Sequence, residues 1–323
     1  MKETYTYAVS RVRCRETDLL TRLDFDRLMQ CKTEEECLRT LQDKGWGKEA
    51  GVSLSAEDLL LEENTRLWQF AGELVPDLTV FNVLRLPADF NNLKAAIKSV
   101  LTKTSPPHIY MAGGTVDPAL MQKAVEKNDF SLLPPFLSEP GRQAAQVLLQ
   151  NRDGQRCDVI LDRACLLAIQ QAGKESDCPL LSDYAEMVTA LANIRVAVRC
   201  QKTGKNRTFL LEALTPCRTL SLESLCTAAL KGRDDFLSYL SFTPYAEAAE
   251  ALRESMTRFE KWCDDRLMEL IRTQKYESFS LGPLIAYILA RQNEMINVRV
   301  LLAGKRHHMD DRLIQERLRE LYV

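Results

Sequence analysis

Apolar residues recur along this chain at intervals of three and four, the spacing that sets them on one face of a helix. Tyr5, Ala8, Val12 and Leu19 make the first such stripe. Leu60, Leu67, Phe70 and Leu74 make a second, in a long helix that Ser55 can cap and Pro76 ends. Tyr184, Met187, Val188, Leu191, Ile194 and Val198 form a third, and Leu284, Ile288, Met295, Val298 and Leu302 a fourth. Thr33-Glu34-Glu35-Glu36 reads as a capping box, with Leu38 and Leu41 following in register. Asp117-Pro118 and Thr243-Pro244 each place a capping side chain before a proline at the first helical position. Period-two alternation is weak, and no Asn-Gly or Asp-Gly turn lies between alternating runs. The pattern predicts an all-α chain of fifteen or more helices.

A repeat is laid over this pattern. Asn92-Leu93-Lys94-Ala95-Ala96-Ile97, Asn193-Ile194-Arg195-Val196-Ala197-Val198 and Asn297-Val298-Arg299-Val300-Leu301-Leu302 share the order Asn, aliphatic, basic, small or Val, any, aliphatic. They stand 101 and 104 residues apart. Asp24-Phe25, Asp129-Phe130 and Asp235-Phe236 keep nearly the same period, as do Pro140 with Ala144-Ala145 and Pro244 with Ala248-Ala249. A loop follows each Asn motif: Thr102–Thr115, Lys202–Asn206 and Ala303–Arg306. The chain divides into three helical units, 1–104, 105–206 and 207–323, the last ending in a short helix around Leu313, Leu318 and Leu321. A period of about 105 residues is far beyond the 20–50 of a solenoid and is the size of a domain. Three like units suit closure into a pseudo-threefold ring or bowl.

Within the motif the two aliphatics lie four residues apart on one helical face, so Leu93/Ile97, Ile194/Val198 and Val298/Leu302 belong to a buried stripe. Asn92, Asn193 and Asn297 are then expected to bond a neighbouring backbone. Lys94, Arg195 and Arg299 either share this structural role or line the bowl and touch a partner.

Composition narrows the function. Forty-three Lys+Arg against 45 Asp+Glu leave a net charge of −2, without the basic surplus of a nucleic-acid binder. The 46% hydrophobic and 27% charged residues are those of a globular chain. The ten cysteines are irregularly spaced and read as reduced, small apolar residues of a cytoplasmic protein. The start is polar, and the apolar run Leu284–Ala290 is far short of the roughly 20 residues of a membrane span. Gly173-Lys174, Gly204-Lys205 and Gly304-Lys305 lack the rest of a phosphate-binding loop and read as helix ends. The three histidines, His108, His307 and His308, form no zinc pattern, and no nucleophile elbow occurs. No catalytic residue, cofactor or metal is expected. The residues alone describe a non-enzymatic helical scaffold of three units; a generic cytoplasmic adaptor, or a helical enzyme with an unfamiliar site, remains open at this point.

Pro283-Leu284, Tyr287, Glu294 and Asn297-Val298-Arg299, continuing to Gly304-Lys305, resemble the tail of the C-subunit family of V/A-type (vacuolar/archaeal-type) rotary ATPases, which includes the d subunit of the eukaryotic vacuolar enzyme. Tyr7-Ala8, Arg11-Val12-Arg13, Leu19-Leu20 and Phe90-Asn91-Asn92-Leu93-Lys94 fit the same family, so the resemblance spans the chain. The family places an acid three residues before the motif Asn. Asp89 and Glu294 comply, but Ala190 does not, and Gly282 replaces another common acid. The resemblance implies an all-α, pseudo-threefold funnel on the cytoplasmic face of the membrane, peripheral and not spanning. It implies that the funnel seats the central shaft on the proteolipid ring and couples ATP hydrolysis or synthesis to ion transport. It implies no nucleotide site, no bond chemistry and no nucleic-acid partner.

Overall fold

The computed structural model describes residues 5–47, 55–104 and 109–323. Ser105, Pro106, Pro107 and His108, part of the first expected loop, lie outside the described residues. The described chain is all-α: sixteen α-helices and three short 3-10 turns, with no strand among these residues. In chain order the α-helices are α1 (Thr6–Glu16), α2 (Arg22–Gln30), α3 (Glu34–Asp43), α4 (Ala56–Leu74), α5 (Asn82–Thr102), α6 (Pro118–Glu126), α7 (Pro135–Asn151) and α8 (Gly154–Glu175). They continue as α9 (Pro179–Lys202), α10 (Arg207–Ala213), α11 (Leu222–Lys231), α12 (Arg233–Ser241), α13 (Ala246–Glu254), α14 (Met256–Arg272), α15 (Gly282–Arg306) and α16 (Asp311–Gln315). No helix among the described residues is long and apolar enough to cross a membrane.

The chain forms two compact units, one continuous (Thr79–Ala249) and one split between both ends of the chain (Met1–Leu78 with Glu250–Val323). In the continuous unit α5 packs on α6, α7 and α8, and α8 packs in turn on α7 and α9. Gly173 lies inside α8, where an added Cβ would meet the Ala185 Cβ at 2.8 Å; it serves close approach to α9, not a helix end as expected from sequence. Gly204 does end its helix: its φ of +63° is open to glycine, and the amides of Gly204 and Lys205 bond back to the carbonyls of Gln201 and Cys200.

In the split unit α15 packs against α1, α3, α4, α14 and α16. The helix runs unbroken through Ala303–Arg306, so the expected third loop is helical. Gly304 is buried there because Ile314 of α16 sits where its Cβ would be. Several other boundaries differ from the sequence reading. α1 ends at Glu16, and Leu19 is buried from the turn beyond it. Thr33 caps α3 by accepting from the Glu36 amide, but Glu36 reaches back to Lys32 instead of Thr33. The complete capping box lies at Thr21 and Asp24, with Asp in place of the usual Glu. Thr243 bonds the Tyr245 amide, and α13 begins only at Ala246. The terminal helix is five residues long and buries Ile314, not Leu313; Leu318 and Leu321 lie past its end, because side chains capture the backbone that would have continued it.

The apolar repeat markers are alike in burial, whereas Asp24 is buried and Asp129 and Asp235 are exposed, and Pro140 lies inside α7 while Pro244 precedes α13. Phe25, Phe130 and Phe236 are all buried, as are Ala144, Ala145, Ala248 and Ala249. All ten cysteines are free thiols. Burial pushes the Cys37 thiol up to about 12 and that of Cys157 to about 11, so neither is a nucleophile at neutral pH.

Candidate functional site: a repeated asparagine and acid clamp

Leu93, Ile97, Ile194, Val198, Val298 and Leu302 are all buried, on α5, α9 and α15. Each motif asparagine sits on the same three helices and grips one residue further along the chain with both ends of its amide. Asn92 donates to the Met111 carbonyl at 2.9 Å and accepts from the Met111 amide at 2.7 Å. Asn193 does the same to Thr215, at 2.7 and 2.9 Å. Asn297 does so to Arg319, at 3.2 and 2.8 Å. A side-chain amide that satisfies both the N–H and the C=O of one residue replaces a ladder partner where there is no strand. All three asparagines are at most 1% exposed, so their full hydrogen bonding is what makes the burial tolerable.

A carboxylate on the same helix holds the stretch just beyond. Asp89 accepts from the amides of Thr115 at 2.7 Å and Val116 at 3.0 Å, and from the Thr115 hydroxyl at 2.6 Å. Burial pushes its carboxyl above the ordinary range against these donors. An added Cβ at Gly114 would lie 2.5 Å from Asp89 Oδ1, so glycine lets the loop reach the carboxylate.

In the second repeat Ala190 occupies the expected acid position and is fully buried. Glu186, one helical turn earlier and on the same face, takes over the task. It accepts from the amides of Arg218 and Thr219 and from the Thr219 hydroxyl, each at 2.8 Å. Sequence reading missed Glu186 because it looked only three residues upstream. Four residues further back, with one more methylene, is the signal that finds it.

In the third repeat Glu294 accepts from the amide of Leu20, near the start of the chain. The three acids thus hold the residues that lead into the N-caps Asp117 of α6, Ser221 of α11 and Thr21 of α2.

Glu294 also anchors a buried ionic cluster in the split unit. Arg291 bonds Glu294 and, at 2.5 Å, Glu63, while its guanidinium lies 4.2 Å from the centre of the Trp46 ring. Glu63 also accepts from the Gly47 amide at 2.9 Å and from Arg66 at 2.7 Å. Burial opposes the Arg291 charge, but Glu294 and Glu63 outweigh it and raise its pKa. The cluster borders a cavity of about 140 Å³ that Arg15, Tyr287 and Phe70 also line.

The three basic motif residues do not share one environment. Lys94 pairs with Asp162 of α8 at 2.6 Å, Arg195 is half-buried, and Arg299 is exposed. No group of three potential metal ligands occurs among the described residues. These arrangements order backbone; they present no activated nucleophile and no paired acid and base.

Residues 8–317 match the family model described as ATP synthase (C/AC39) subunit. Among curated relatives, the C subunit of the V-type sodium ATPase of Enterococcus hirae is 23% identical over 323 residues, covering 96% of this chain and 97% of its own. The C subunit of the V-type ATP synthase of Thermus thermophilus is 24% identical over 313 residues, covering 93% and 94%. The C subunit of the A-type ATP synthase of a Desulfurococcus species is 22% identical over 314 residues, covering 92% and 85%. Matched over nearly its whole length, the chain belongs to the ATP synthase (C/AC39) subunit family, the C-subunit family of the V/A-type rotary ATPases.

Proposed function

We propose that this chain is the non-catalytic central-stalk subunit of a V/A-type ATPase, a socket that joins the central shaft to the cytoplasmic face of the proteolipid ring and carries torque between them. The observation that carries the reading is the threefold recurrence of one device, an Asn and an acid on a long helix gripping the next segment. In this reading the repeats 1–104, 105–206 and 207–323 form a pseudo-threefold funnel. The bond from Glu294 to Leu20 supports it, because a closed cycle of three needs the last repeat to grip the first. A part that transmits torque needs stiff helices and satisfied buried polar groups, and it needs no reactive side chain. Burial that holds the thiols of Cys37 and Cys157 protonated fits that role.

The test is an assembled ATPase with and without this chain, reconstituted in vesicles. The expected outcome is that the complex lacking it still hydrolyses ATP but no longer moves ions, and that adding the chain back restores transport. Undiminished transport without the chain would overturn the proposal, as would ATP hydrolysis by the purified chain.

A further inference from the structure

Two thiols meet at the corner where α2 gives way to α3. Cys31 closes the C-terminal end of α2, and Cys37 lies in the first turn of α3. The Cys31 thiol donates to the Arg27 carbonyl at 3.7 Å and stands 3.6 Å from the Thr40 hydroxyl. The Cys37 thiol donates to the next carbonyl, that of Leu28, at 3.5 Å. Thr40 is three residues beyond Cys37 and shares its face of α3, so the Cys31 sulfur lies against that face. The two thiols come within hydrogen-bonding reach of each other.

Their surroundings are unequal. Cys31 is half-buried and open to a small solute, whereas Cys37 is wholly buried, and burial pushes its thiol up to about 12. Lys305 of α15, itself buried, donates to the Met29 carbonyl two residues before Cys31, and its charge favours the ionised form of Cys37. An accessible thiol touching a buried one has the layout of a reacting cysteine and its resolving partner.

We propose that Cys31 and Cys37 are a peroxide-responsive dithiol, whose oxidation closes a disulfide between the end of α2 and the first turn of α3. The Cys31 thiolate attacks one oxygen of hydrogen peroxide and the O–O bond breaks. Cys31 becomes a sulfenic acid, and the other oxygen leaves as water with the proton that Cys31 gave up. The Cys37 sulfur then bonds to the Cys31 sulfur as the S–O bond breaks, and the departing hydroxide takes the Cys37 proton to form a second water. Two thiols lose two electrons and two protons, and one peroxide is reduced to two waters. A thiol at about 12 is ionised to only about one part in 10⁵ at pH 7, which keeps Cys37 inert towards solutes. Contact with Cys31 makes the second step intramolecular, and effective molarities of about 10⁵ M or more offset that small fraction. The inference stands apart from the stalk reading, because it needs only this chain and a peroxide.

The test treats the purified, reduced full chain with hydrogen peroxide, blocks the remaining thiols with N-ethylmaleimide and maps tryptic peptides by mass. Cleavage after Arg27, Lys32 and Arg39 separates the two cysteines. The expected product is peptide 28–32 linked to peptide 33–39, two hydrogens lighter than the pair and released by dithiothreitol. Before oxidation, N-ethylmaleimide should label Cys31 about tenfold faster than Cys37 or more. Cys37→Ser is expected to stop at a Cys31 sulfenic acid that dimedone traps, and Cys31→Ser to leave Cys37 unoxidised. Oxidation of Cys31 with Cys37 still free would overturn the proposal, as would a Cys31 disulfide to any other cysteine or a Cys31 that peroxide leaves untouched. All three are read on the wild-type chain, so they decide the matter whether or not a serine variant folds.

Discussion

The two compact units solve the same packing problem with different means. The continuous unit is threaded by one stretch of chain, and its long-range polar bonds tie loops to the helices they leave or precede: Asn92 and Asp89 to the loop before α6, Asn193 and Glu186 to the loop before α11. Its ion pairs, such as Lys94 with Asp162 and Lys98 with Asp158, sit at the surface. The split unit must bring together two segments from opposite ends of the chain. There the inner joining bonds are buried and each carries a charged group: Arg291 to Glu63, Glu294 to the Leu20 amide, and Lys305, 6% exposed, to the Met29 carbonyl at 2.7 Å. Helix packing can be supplied by many apolar pairs, whereas a buried charge accepts only its partner. Where covalent continuity is missing, charge pairing sets which segment meets which.

The sharpest way to break this contrast is Arg291→Met. It leaves Glu294 without its cation and Glu63 with Arg66 alone, a buried negative charge uncompensated at a cost of about 3–5 kcal/mol. The urea midpoint should fall accordingly, and exchange protection should be lost first at the amides of Leu20 and Gly47, which the two acids hold. Lys98→Met in the continuous unit removes a half-exposed pair and should cost under about 1 kcal/mol. Equal losses from the two variants would end the distinction.

The asparagine clamps allow comparison of one interaction in three settings. Asn193→Ala strands the amide and carbonyl of Thr215, which is wholly buried, and should cost about 2–4 kcal/mol. Asn297→Ala releases Arg319, which is only half-buried and whose backbone can turn to water; about 1 kcal/mol is expected. Asn92→Ala should also cost less than Asn193→Ala, since Met111 is 48% exposed. Chemical unfolding of the three variants tests the order, and an Asn297 effect as large as that of Asn193 would contradict it.

The helical class, the threefold motif and its buried aliphatics were legible because each is a short-range pattern: spacings of three and four record which face is covered. The acid in the second repeat was not, because Glu186 replaces position with reach. The split unit was not, because nothing local in Glu63 or Leu20 says that its partner lies beyond residue 290. The tail after Gln315 reads as helix from Leu318 and Leu321, yet Asn297 and Asp265 take the amides of Arg319 and Glu320 for themselves.

Titration sets two buried acids, one from each unit, apart by sign. In the split unit, burial of Asp24 opposes its charge, but Lys44 at 2.6 Å and the amide and hydroxyl of Thr21 outweigh it and hold the carboxyl at about 2, below its ordinary 3.8. A depressed acid stabilises the fold above its unfolded value and loses that stabilisation as pH falls from about 4 to 2, here about 2 kcal/mol. Asp24→Asn should therefore be less stable at pH 7 and match wild type near pH 2. Asp89 in the continuous unit is raised by burial, so the fold favours its proton and stability falls as pH rises through its titration. Asp89→Asn should flatten a slope of opposite sign. Thermal unfolding between pH 2 and 7 decides, and parallel slopes for the two variants would refute the assignment.

The smallest expected effect concerns the outermost joint of the split unit. Arg306, near the end of α15, bonds Glu34 of α3 at 2.6 and 2.8 Å and Glu57 of α4 at 2.9 and 3.1 Å. The geometry is bidentate on both sides, yet Arg306 and Glu57 are each more than a third exposed, so water and salt weaken the pairs. Arg306→Gln should cost at most about 1 kcal/mol at low ionic strength and nothing measurable at about 1 M salt, where the screening length falls to about 3 Å. Arg291→Met should keep its full penalty in the same salt, because its partners are buried. Hydrogen exchange of α3 in both variants, at low and high salt, separates an inner joint that specifies the pairing of the two chain ends from an outer one that only trims it. If the Arg306 variant loses α3 protection in high salt as well, the outer joint carries more of the pairing than its exposure allows.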